Sequence, residues 1–140
     1  MKALVVMLAL LATGCAADAQ PSLRREIARI VPAGSEQQGK CDYASGYVED
    51  APPELRCWFV VRGRVPDVAA DIERNLRASG LRVSERPHDG PAARVVNGVN
   101  EKSAVSVGVI SSGRPLFFRL GKDPVASGHA GIDISLARRK

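Results

Sequence analysis

The chain has 140 residues, 45% hydrophobic and 25% charged, with a formal net charge of +5. That length suits one domain with a modest core. The basic excess is mild, with no run longer than three like charges, and only 4% of the residues are aromatic, so the stacking platform that single-stranded nucleic acid needs is lacking.

In chain order, Lys2 is the only charge before Asp18, and Ala3 to Ala12 is an unbroken apolar run. The run is too short for a transmembrane helix, which needs about 20 residues. It fits the apolar region of a secretory signal with a basic start and small residues at the cut. Two cuts are legible. Ala17-Asp18-Ala19 is an A-x-A pattern that would release a soluble periplasmic or extracellular protein starting at Gln20. Ala12-Thr13-Gly14-Cys15 resembles the lipobox of bacterial lipoproteins, with Ala12 where that family most often has Leu. The resemblance implies a signal peptide over 1-14, a diacylglyceryl thioether on Cys15 and a short tether over 15-22. It also implies attachment to a membrane facing the periplasm. Ala16 follows the cysteine, and in diderm bacteria such a residue directs lipoproteins to the outer membrane.

Cysteine parity bears on both cuts. The chain has three cysteines, Cys15, Cys41 and Cys57, and an odd count in an exported protein leaves one thiol over. Whether Cys15 is acylated or discarded with the signal, Cys41 and Cys57 are then the one intramolecular pair in an oxidising compartment. An uncut chain in the cytosol would keep all three thiols reduced.

Behind the leader, residues 23-140 read as a single small α+β domain. Within Ser22 to Val31, Leu23, Ile27 and Ile30 fall on one helical face after a serine cap candidate, and Pro32 ends the pattern. This short helix is expected to dock on the domain. Residues 32-55 are rich in proline, glycine and polar groups and read as irregular, fastened by the disulfide. Cys57 to Val61 is apolar on both faces and reads as an inner strand. Trp58, on the face opposite Phe59, is expected to pack against the disulfide or the core rather than to line a ligand pocket.

Next comes the clearest helix, Asp67 to Ser79, started by Pro66 and Asp67 and stopped by Gly80, with Val68, Ala69, Ile72 and Leu76 as its buried stripe. Leu81 to Glu85, Ala93 to Val96 and Ala104 to Ile110 read as strands, the last two as a hairpin turning within Asn97 to Lys102, where Asn97-Gly98 tolerates positive φ. Ala104, Ser106 and Gly108 lie opposite Val105, Val107 and Val109. Their small side chains would let a helix approach or leave room for a ligand, and helix packing is the expected use. Pro115 to Leu120 is a weaker strand, and Ile132 to Leu136 alternates strictly. The fold class that follows is a two-layer α+β sandwich with a mainly antiparallel twisted sheet of about five strands and one main helix on one face.

Chemistry-bearing residues are few. His88-Asp89 and Ser127 with His129 sit in turn-like loops, where neighbours seldom face each other as a base and its partner. Two isolated histidines do not make a zinc set, and no phosphate-binding loop is present, so no catalytic, metal or cofactor-binding residue is assigned. The basic residues Arg62, Arg64, Arg74, Arg77, Arg82, Arg86 and Arg138-Arg139-Lys140 are read as a solvated surface. The expected function is that of a noncatalytic envelope lipoprotein. Its partners are the membrane, through lipid on Cys15, and an envelope protein or polymer met by the exposed sheet face, an edge strand or the loops around Tyr43 and Tyr47. A small-ligand carrier or a small hydrolase is the alternative.

Overall fold

The structure, a computed structural model, describes residues 19–44, 52–87, 92–114 and 124–139. Their elements run α1 (Gln20–Ile30), β1 (Glu36–Gln37), β2 (Asp42–Ala44), β3 (Glu54–Arg62), α2 (Val65–Ala78), β4 (Arg82–Pro87), β5 (Ala93–Val99), β6 (Ser103–Ile110) and β7 (His129–Arg138). The leader, Cys15, Tyr47, His88, Asp89 and the expected strand at Pro115 to Leu120 lie outside the described residues.

All strand pairs are antiparallel, in the order β1-β3-β7-β6-β5-β4, with β2 also on the outer edge of β3. Strands β4 to β7 form a meander, and β3 joins it at β7. Because β3 and β4 run in the same direction from opposite sides of that array, α2 must carry the chain back across one face. The five long strands, β3 to β7, match the sequence expectation. The short β1 and β2 inside the stretch read as irregular are additions to it.

Strand alternation sorts side chains between two faces. Leu55, Cys57, Phe59 and Val61 of β3, Val105, Val107 and Val109 of β6, and Ala130, Ile132, Ile134 and Leu136 of β7 share one face and are all buried. Both helices lie on it. Helix α2 buries Val65, Val68, Ala69, Ile72 and Leu76, and α1 docks through Leu23, Ile27 and Ile30, as the periodicity requires. Full burial of each such side chain contributes about 1.5 to 3 kcal/mol.

Helix α2 ends where expected. Gly80 takes φ +80°, the Gly80 N–H donates to the Arg77 carbonyl, and the Leu81 N–H donates to that of Leu76. This is the reciprocal glycine cap that satisfies orphan carbonyls. Two local expectations need correction. Ser22 is not the cap of α1, because Pro21 already occupies the first turn and the helix begins at Gln20, with Ala19 before it and no side-chain cap. The hairpin turn lies within the expected Asn97 to Lys102, but not on Asn97-Gly98. Both residues lie inside β5, and the turn is made by Asn100, whose side-chain oxygen accepts from the N–H groups of Lys102 and Ser103. Gly98 is glycine because α2 sits over it: a Cβ there would stand 3.1 Å from Leu76 Cδ2 and 3.3 Å from Leu81 Cβ.

Cys41 and Cys57 are disulfide-bonded, with Cα atoms 4.4 Å apart. The pairing of Asp42 with Arg56 in register sets Cys41 beside Cys57. The bond thus holds the segment carrying β1 and β2 against β3.

Candidate functional site

The second face of the sheet has a different composition. Trp58, Val60, Ile110 and Val125 form a small apolar cluster at one end, with Trp58 2% exposed. The described ends of the connection after β6 meet here: the Gly113 N–H donates to the Val125 carbonyl and the Val125 N–H to that of Arg114. Trp58 is therefore a core residue, but of this minor core. Cys57 and the disulfide lie on the opposite side of the strand. Its indole N–H is buried and has no hydrogen-bond partner among the described residues.

Toward the middle of the face, Arg56 stacks over the Trp58 ring at 5.4 Å from its centroid and donates from Nε to Asp133 Oδ1 at 2.9 Å. A second guanidinium N–H donates to Asp133 Oδ2, so the pair is bidentate. That hydrogen bond raises the Arg56 pKa above its ordinary value; burial opposes the rise, and the charges of Asp133, Asp42 and Glu54 add to it. Ser135 donates to Glu54 alongside. No sequence motif marked this constellation, since Arg56 and Asp133 are 77 residues apart. The legible signal is a single charge in the interior of each strand, Arg56 within 55–61 of β3 and Asp133 within 130–137 of β7.

Beyond Arg56 the face is open among the described residues. A shallow concavity of about 620 Å³ is lined there by Ser84, Asn97, Val99, Ala104, Ser106 and Ser135, with Glu54 and Arg82 as its charged residues. Ala104, Ser106 and Ser84 are exposed. The expectation that the small side chains of β6 admit a helix is thus corrected. The valines carry the helices, because they present the apolar area worth burying, and the small residues form the floor of the concavity.

The remaining sequence candidates are not brought together. His129 Nδ1 donates to the Ser127 carbonyl oxygen at 2.9 Å, so the contact involves the Ser127 backbone and not its hydroxyl. His129 lines a separate hollow of about 630 Å³ beside the Trp58 cluster, with Glu36, Gln38 and Arg62. Tyr43 packs half-buried against the main core. Arg74 pairs with Asp71 and Arg77 with Glu73 on α2. Arg138 does not belong to a basic tail. Alternation along β7 turns it to the helix face, where it donates to both carboxylate oxygens of Glu26 and to Ser103 and Ser22.

The fold and this face define a two-layer α+β domain whose antiparallel sheet, among the described residues, is covered by helices on one side. No family model matches the chain, and neither a curated protein nor a solved structure is similar to it at a significant level.

Proposed function

We propose that the chain is a noncatalytic lipoprotein of the bacterial cell envelope, tethered through lipid on Cys15, that binds a protein or envelope polymer through the open part of its second sheet face. The observation that carries the binding role is the concavity floored by Ala104, Ser106 and Ser135. A sheet face of small side chains with hydroxyl and carboxamide groups at its rim offers contact area and hydrogen bonds to an extended ligand. The tether rests on the small residues flanking Cys15, while cysteine parity supports export under either cut. The hollow lined by Glu36, Arg62 and His129 supports a second reading, capture of a small polar ligand by a domain released after Ala19.

The test is site-specific photo-crosslinking in the native host. A crosslinking residue at Ser106, on the open face, should yield a discrete adduct, and the same residue at exposed Ala70 on α2 should not. Equal yields at both positions, or none at Ser106, would refute the binding face. Intact mass tests the tether independently, since acylation predicts a species that begins at Cys15 and is heavier by its acyl groups.

A further inference from the structure

Helix α1 buries Leu23, Ile27 and Ile30 and exposes Pro21, Arg24, Arg25, Ala28 and Arg29. At 100° per residue those five positions form one continuous outer arc, with three arginines and no acid. The one carboxylate of the helix, Glu26, lies at the edge of the arc and is held by Arg138. Helix α2, on the same side of the molecule, neutralises Arg74 and Arg77 with its own Asp71 and Glu73. No ion pair to a described residue neutralises Arg24, Arg25 or Arg29; the side-chain contact of Arg24 is the Cys41 sulfur, 3.5 Å away. Arg29 and Lys102 line one hollow past the end of the helix, together with Glu26, whose charge is met by Arg138.

This face begins close to the proposed anchor. Four residues lie between Cys15 and Gln20, a span of at most about 18 Å even when fully extended. Resting on the proposal that Cys15 is acylated, we infer that the Arg24, Arg25 and Arg29 face of α1 lies against the anionic phospholipid headgroups of the membrane that holds the anchor. The interaction is electrostatic adsorption and not insertion, because the arc carries no large apolar side chain. Its consequence is orientation. With α1 turned to the bilayer, the concavity on the opposite side of the sheet faces away from the membrane, where an envelope partner can reach it.

Three arginines near an anionic surface shift the balance between adsorbed and free orientations by roughly a hundredfold, and salt removes that bias. The experiment uses the full processed chain carrying Ala28→Cys, labelled with an environment-sensitive fluorophore at the centre of the arc and bound to phosphatidylcholine vesicles with or without phosphatidylglycerol. An aqueous quencher should reach the label freely on neutral vesicles and poorly on anionic ones. The protection should vanish at high salt and in the Arg24→Gln, Arg25→Gln, Arg29→Gln variant, whose melting temperature verifies folding. A label at Ala104→Cys, on the open sheet face turned away from the bilayer, should show no such dependence. Equal quenching on both vesicle types, with the protein afloat on both, would overturn the inference while leaving the anchor intact. If mass and flotation instead show no acyl group, the anchor proposal fails, and the face is read from flotation of the unacylated chain. Anionic vesicles should then retain the parent roughly a hundredfold better than the triple variant, and equal retention would overturn the inference.

Discussion

Replacing Cys41 with serine removes the one covalent restraint on the segment that carries β1 and β2. The bond joins residues 16 apart in sequence. In the chain-entropy treatment a loop of that size stabilises the folded state by about 3 kcal/mol. Cys57 is 2% exposed on the helix face of β3, and its freed thiol behaves there as a small apolar group, so little further cost is expected from it. For a domain of roughly 120 residues, unfolding entropy near 2.1 cal/mol/K per residue converts 3 kcal/mol into a drop of about 12 °C in Tm. The assay is thermal unfolding of the parent and Cys41→Ser, each with and without reductant. The oxidised parent should melt about 12 °C above the other three samples, which should agree with one another. Hydrogen exchange should quicken first in β1 and β2, whose edge pairing to β3 is short. A parent whose melting temperature is indifferent to reductant would refute the reasoning, because the segment would then be held by its noncovalent contacts alone.

Gly98→Val should destabilise by about 1 to 3 kcal/mol through overpacking, since even a Cβ stands 3.1 Å from Leu76 Cδ2; denaturant unfolding checks this, and a neutral result would mean that α2 shifts freely on β5. Arg138→Gln should cost about 1 to 2 kcal/mol, discounted because Arg138 and Glu26 are 24% and 35% exposed, and should speed amide exchange in α1 more than in α2. Trp58→Phe should cost under about 1.5 kcal/mol, because it removes a buried N–H without a described partner, whereas Trp58→Ala should cost about 3 to 5 kcal/mol. A large loss in the phenylalanine variant would reveal a partner for the indole.

The legible parts of the fold were those set by periodicity. The stripes of α1 and α2, the alternation of β6 and β7 and the glycine stop after α2 depend on spacing within one segment, and each lies where the spacing puts it. What escaped depends on which segments meet. Asn97-Gly98 has turn chemistry, but Leu76 and Leu81 need a residue without a side chain beneath them, and that demand comes from a different element. The small face of β6 admitted two uses that differ only in what lies opposite. Arg138 looks like part of a basic tail until strand parity turns it inward to Glu26. The Arg56 and Asp133 pair required the β3 to β7 register, in which Trp58 stands opposite Asp133 and thus places Arg56 one step away on the same face.

That register also determines how the two proposed surfaces should respond to salt. On the second face the Arg56 charge is met by Asp133 through two hydrogen bonds, and the charged residues lining the concavity are one of each sign, Glu54 and Arg82. A ligand seated there is recognised by hydroxyl, carboxamide and apolar contact, with little net charge to screen. The outer arc of α1 carries three like charges and no acid, so its attraction to a bilayer is a screened, long-range effect that falls off over a Debye length of about 8 Å at physiological ionic strength. Raising salt should therefore release the α1 face from anionic vesicles while leaving the Ser106 adduct yield nearly constant. If both vanish together over the same range of salt, ligand capture depends on the orientation that the arginines impose. If the adduct alone is salt-sensitive, the partner binds through charge, and the neutral concavity is not its seat.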